Sequence, residues 1–267
     1  MKVYPEHLYE PVRVKVATDY VKAEMRKMLA GVRGGEVWKA IDKDIDSWWS
    51  ENDEVKVRNF WNGVHGIGMG FKLKIGLIQM LTAENVEWRL EPDLRLDERV
   101  MSGGGYPYIH EQLAKGPMSA EKVRRFFSRK ENRELKEKWK EEFIRHGNSS
   151  EPRDKLPIMG IEEDTGIMVH DGNRRMILGV LENRESLAAY VGRYKTEEKG
   201  AKNFWLPSSW LMELVLEGEL ANNFEETAKL LKNLIKLSES GEYELRERVL
   251  IGGSEFRKRL REELGWE

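Results

Sequence analysis

A chain of 267 residues with no cysteine can bury a full core unaided, and it excludes disulfides, thiolate-held metals and cysteine nucleophiles from the start. Lys+Arg number 45 and Asp+Glu 47, a formal charge of -2, so no global field draws the protein to nucleic acid and any such surface has to be local. No basic leader precedes an apolar segment and no apolar run is long enough to span a bilayer, which predicts a soluble, unprocessed protein of a reducing cytoplasm with no membrane partner.

Apolar residues at three- and four-residue steps predict helices over Asp19 to Val32 and Glu36 to Trp49, the second striped by Val37, Ile41, Ile45 and Trp48. A further unit, Val55 to Val64, leads through a glycine-rich stretch to an apolar run from Ile75 to Leu81. Val86 to Leu96 reads as extended chain around Pro92. Gly103-Gly104-Gly105-Tyr106-Pro107-Tyr108 predicts a loop, followed by a helix at Ile109 to Ala114. Ser119 is placed to cap a long charged helix reaching His146, with a break near Asn132.

After a polar linker, Pro157 to Ile161 and Ile167 to Val169 predict a hairpin whose polar loop is Glu162-Glu163-Asp164-Thr165-Gly166. Arg174 to Leu181 reads as helix and Ser186 to Tyr194 as strand. The tail is helical, with a capping-box-like start at Asn223 and Glu226 and a last helix from Ser254 to Gly265. The order strand, strand, helix, strand defines an α+β core. Three regions follow: a helical one over 1–85, a mixed-sheet core over 86–200 and a helical extension over 201–267.

The corner Val169-His170-Asp171-Gly172-Asn173-Arg174-Arg175 carries the strongest chemical signal. A strand ends at a glycine that permits a tight turn, and a helix opens whose first N–H groups lack intrahelical acceptors. Those amides and the helix dipole favour an anion, and two guanidinium forks suit phosphate oxygens. The bland alternative has Asp171 or Asn173 capping the helix while the arginines pair with surface acids such as Glu162, Glu163 or Glu182.

From Leu156-Pro157-Ile158 through this corner to Leu187-Ala188-Ala189-Tyr190-Val191, about forty residues or one supersecondary unit, the chain resembles the ParB/sulfiredoxin superfamily. That family holds nucleotide phosphates at such a corner, and its members include CTP-hydrolysing partition proteins, ATP-using sulfiredoxins, free-serine kinases and nuclease-like proteins. The resemblance implies a ParB/sulfiredoxin-like mixed-sheet core and a bound nucleoside triphosphate or diphosphate with Mg2+. Gly172, Asn173, Arg174 and Arg175 would hold phosphate. Asp171 would serve as a catalytic and metal-proximal residue, with Glu162 as a second candidate carboxylate. Tyr106 and Tyr108 would stack on the base from the glycine loop.

Without cysteine the sulfiredoxin reaction is excluded. Residues 201–267 hold 10 basic and 13 acidic residues, which argues against a DNA-reading partition tail. NTP hydrolysis or phosphoryl transfer to an unidentified acceptor is the leading expectation. A DNA- or RNA-binding nuclease-like or partition-type protein is the alternative, supported by the basic run Lys122, Arg124, Arg125, Arg129, Lys130 and Arg133. A non-catalytic interaction protein is the third. Oligomeric state is not readable from the sequence. The Gly-x-Gly-x-Gly of residues 66–70 fails the dinucleotide fingerprint, and His110-Glu111 lacks a second histidine at position 114.

Overall fold

The computed structural model describes residues 5–28, 35–47, 60–61, 75–102, 117–146, 156–197, 199–238 and 240–266. Its contacts divide the chain into two units, one of Met1–Val14, Ser47–Val86 and Lys195–Glu267, the other of Lys15–Asp46 and Glu87–Tyr194. The N-terminal helical region expected over 1–85 is thus shared between the units, and the C-terminal extension groups with residues 1–14 and 47–86.

The first helix, α1, runs Pro11–Met28, beginning eight residues before the expected Asp19. Proline at the first helical position has no amide to lose and a pre-set φ, so the Val-rich segment after it starts the helix. α2 is Gly35–Ser47 and α3 is Ile75–Thr82. The extended segment becomes β1, Val86–Arg95, followed by β2, Val100–Ser102, and β3, Met118–Ser119.

α4, Ala120–Ser128, starts where the Ser119 side chain accepts a hydrogen bond from the Lys122 N–H. A 3-10 turn at Lys130–Asn132 then separates it from α5, Arg133–His146, the break expected near Asn132. β4, Ile158–Glu163, and β5, Gly166–Asp171, form the hairpin. Its connection is tighter than the five-residue loop expected: Glu163 already pairs with Gly166, so only Asp164 and Thr165 turn. α6, Asn173–Leu181, and β6, Ser186–Tyr194, complete this unit.

The fold is α+β, with one six-stranded mixed sheet in the order β1-β6-β4-β5-β2-β3. β4 lies centrally, antiparallel to β5 and parallel to β6. β5 runs parallel to β2, and β2 antiparallel to β3. Lys195 N–H donates to the Asn85 carbonyl and Leu96 N–H to that of Glu185, so β1 runs antiparallel to β6. One sheet face carries α4, α5 and α6 over a core that includes Val123, Phe127, Trp139, Ile158, Val169, Met176, Ile177 and Val191. Within this unit α1 also clasps α2 through Lys22–Asp46 and Arg26–Asp42 ion pairs.

The other unit is mostly helical: α7 Ser208–Leu220, α8 Phe224–Leu237, α9 Gly241–Glu244 running into a π-helical turn, and α10 Glu255–Glu263. Ser254 caps α10 by accepting from the Arg257 N–H, and Gly265 at φ 75° follows its end. Asn223 precedes α8 without a side-chain cap bond. No helix among the described residues is long and apolar enough to cross a membrane.

Candidate functional site: the β5–α6 corner

Gly172 sits at φ 85°, ψ 17°, in left-handed backbone. A Cβ there would stand 2.8 Å from the Ile158 side chain and 2.9 Å from Nη2 of Arg175, so both the conformation and the space require glycine. The first helical bond that follows runs from the Met176 N–H to the Gly172 carbonyl, 2.9 Å. The amides of Asn173, Arg174 and Arg175 therefore have no acceptor within the helix, and the N-cap, being glycine, has no side chain to offer.

The two arginines behave differently. Arg174 is exposed, in the first turn of α6. Arg175 turns inward: Nη2 donates to Oδ2 of Asp171 at 2.7 Å, and Nη1 donates to the carbonyls of Leu156 and Pro157. It ties the entry to β4, the end of β5 and the start of α6 into one knot. Two nitrogens of the Arg175 guanidinium, which was expected at a phosphate, thus meet three internal acceptors.

A register shift decides where Asp171 points. Val169 pairs with Gly160 but Asp171 pairs with Met159, so β5 uses one residue more than β4, and that residue is His170. Ile167 and Val169 face the core beneath α6, and unbroken alternation would send Asp171 there too. The extra residue carries Asp171 instead to the face shared with Met159, as β-bulges beside functional corners do. Tyr190 is in register with Met159. Its hydroxyl donates to Oδ2 of Asp19 on α1 at 2.8 Å, and Lys15 donates to the other oxygen of Asp19 at 2.7 Å.

Tyr20, one residue further on α1, is fully buried. Burial first, then the carboxylates of Glu24 and Asp171, push its hydroxyl well above the ordinary tyrosine range. Asp171, Tyr190, Asp19, Tyr20 and Glu24 thus make a buried polar layer between the sheet and α1. Burial also lowers the pKa of the His170 imidazole and so favours its neutral ring, with Glu163 partly opposing. His170 Nε2 and Asn173 Oδ1 are buried without hydrogen-bond partners on either side of the Asp171-Gly172 turn.

Glu162 is not brought to this corner. It lies three residues along β4 from Met159, roughly 10 Å away at the rise of a strand, and binds Nη1 of Arg89 at 3.1 Å. Tyr106 and Tyr108 lie outside the described residues. Among the described residues no group of three or more histidine or acidic side chains could hold a metal ion, and the Asp171 carboxylate is already engaged by Arg175.

Sequence reasoning missed Asp19, Tyr20, Glu24 and Tyr190. Their one sequence signal is the placing of Asp19 and Glu24 among the apolar positions Val16, Ala17, Tyr20 and Val21 of a helical stripe, where buried charge calls for partners. Comparison with models of known protein families, with curated proteins and with solved structures returned no match.

Proposed function

We propose that the β5–α6 corner binds the phosphates of a nucleoside di- or triphosphate and that the protein hydrolyses the nucleotide or transfers its terminal phosphoryl group. The carrying observation is the start of α6 at left-handed Gly172, an N-cap with no side chain to engage the first amides, with the exposed Arg174 in the same turn. The resemblance to the ParB/sulfiredoxin superfamily in the same residues supports the same ligand class. In this reading the backbone from Gly172 to Arg174 and the Arg174 guanidinium hold phosphate oxygens. Arg175 and Asp171 are positioning residues that fix the turn.

An acceptor oxygen, from water or a substrate hydroxyl, forms a bond to the terminal phosphorus as the bond to the leaving phosphate oxygen breaks. The acceptor's proton passes to solvent. The described side chains do not supply a metal site, so magnesium would arrive on the nucleotide's own phosphates. Titration calorimetry with ATP, ADP and CTP, each with and without magnesium, tests the reading. Saturable binding of at least one nucleotide is expected, weakened about tenfold by Arg174→Ala, the loss of one charge-assisted contact of about 1.4 kcal/mol. No binding of any of the three, or an Arg174→Ala protein that binds as tightly as the parent, rejects it.

A further inference from the structure

The inner side of α8 is apolar and closed: Thr227, Ala228, Leu231 and Leu234 are buried. The outer side is not closed. Glu226, Lys229, Leu230, Asn233, Lys236 and Leu237 are all exposed, and their steps of three and four residues set them on one stripe of the helix. Leu230 stands 44% exposed and Leu237 55%. With Leu216 and Leu220 of α7, they make four of the eight large apolar side chains exposed among the described residues. Such side chains scattered singly need no explanation, but a concentration on one pair of helices marks a contact surface.

Charge gives the stripe a direction. Glu225 and Glu226 begin α8 and Lys236 lies in its last turn. Among the described residues Lys232 is held by Glu263, whereas Glu225, Glu226, Lys229 and Lys236 have no ion-pair partner. This order of acid, leucine and base selects what can cover the stripe. A nucleic acid would meet the two glutamates and make no use of the leucines, and a membrane surface would ask for a broader apolar face without acids at one end. A second α8 laid antiparallel presents the same stripe in reverse, so each acidic start meets a basic end and the two helix dipoles oppose. With a two-fold axis between Leu230 and Asn233, the two Leu230 side chains stand roughly 4.5 Å apart along the helices, three residues of rise. Glu226 then comes level with Leu237 of the second copy, beside its Lys236. Parallel pairing would set glutamate against glutamate and lysine against lysine.

We infer that the outer stripe of α8 is a two-fold contact between copies of this chain, with the leucines at the seam and Glu225 and Glu226 of each copy against Lys236 of the other. A single helix seam lies at the small end of protein interfaces, so the pair is a concentration-dependent dimer. The contact shares no residue with the β5–α6 corner and stands independently of the nucleotide reading.

Sedimentation equilibrium between about 1 μM and 1 mM tests it. The mass is expected to rise from that of one 31.2 kDa chain toward that of two. L230E/L237E raises the dissociation constant at least about tenfold, the scale of keeping one leucine in water. K236E brings like charges together and weakens pairing about threefold, and E225K/E226K/K236E, with both ends reversed, recovers the parent's value. Because the chain has no cysteine, N233C reports the seam without altering its charge or its leucines: mild oxidation links it into dimers, while K258C, at an exposed position of α10, stays single. The inference is overturned by a single-chain mass up to about 1 mM, by a dimer that L230E/L237E leaves intact, or by a reversed-end variant that pairs no better than K236E.

Discussion

Arg175→Ala lowers the unfolding free energy of the sheet-bearing unit by about 3–5 kcal/mol, the scale of breaking a buried charge pair from one side. The Arg175 side chain is 15% exposed and that of Asp171 only 2%, so solvent screens the pair little. Removing the guanidinium leaves Asp171 without its close cation and takes a donor from the carbonyls of Leu156 and Pro157. Arg175→Lys recovers little, because one ammonium cannot reproduce a planar fork that reaches three acceptors. Asp171→Asn combined with Arg175→Ala costs less than the sum of the two single changes, since the stranded charge is gone. Urea unfolding followed by tryptophan fluorescence measures all four proteins. A loss below about 1 kcal/mol for Arg175→Ala, the range of an exposed pair, contradicts the internal knot.

The second large effect lies in the other unit. Arg13 is fully buried and donates from Nη1 to the carbonyls of Leu81 and Ala83 at 2.7 and 2.9 Å, and from Nη2 to that of Val86. Glu10 receives Nε and Nη2 at 3.3 and 3.2 Å. Burial lowers the guanidinium's pKa and Glu10 opposes it, but arginine remains charged. It thus closes the carbonyl end of α3, where a cation also meets the negative pole of the helix. Arg13→Met keeps much of the bulk but strands those three carbonyls, at about 1–3 kcal/mol per unsatisfied buried group, for a total of about 3 kcal/mol or more. Calorimetric unfolding compares it with Glu10→Gln, whose own side chain is 42% exposed and whose loss leaves the guanidinium on its three carbonyls, so it costs less than Arg13→Met. Equal losses in the two variants contradict the assignment of the carbonyls as the main recipients.

Local chemistry explains what could be read in advance. Ser186 to Tyr194 emerges as a strand with those bounds, Ser119 and Ser254 cap the helices they precede, and Gly172 makes the turn into α6. Each depends on a few neighbouring residues and on backbone rules that act at short range. What the sequence left open depends on distant partners. The inward turn of Arg175 is set by Leu156 and Pro157, nineteen and eighteen residues away, and Arg174 beside it has the same chemistry but a different fate. The bulge at His170 is a pairing fact between two strands. The alternation read from Ile167 and Val169 therefore could not place Asp171 on the α1 face. The buried layer of Asp19, Tyr20 and Tyr190 closes across 171 residues of chain. A helix read by its apolar stripe shows the acidic positions but not the partners that meet them.

Amide proton–nitrogen correlation NMR during a titration with inorganic pyrophosphate tests the corner most directly, since it reads the backbone donors themselves. The amides of Asn173 and Arg174 are predicted to move saturably and together, shifting downfield as they gain a charged acceptor, while the amide of Gly265 at the end of α10 stays in place. Corner amides that remain unmoved at saturating pyrophosphate, or that move no more than Gly265, would contradict an anion site at the start of α6.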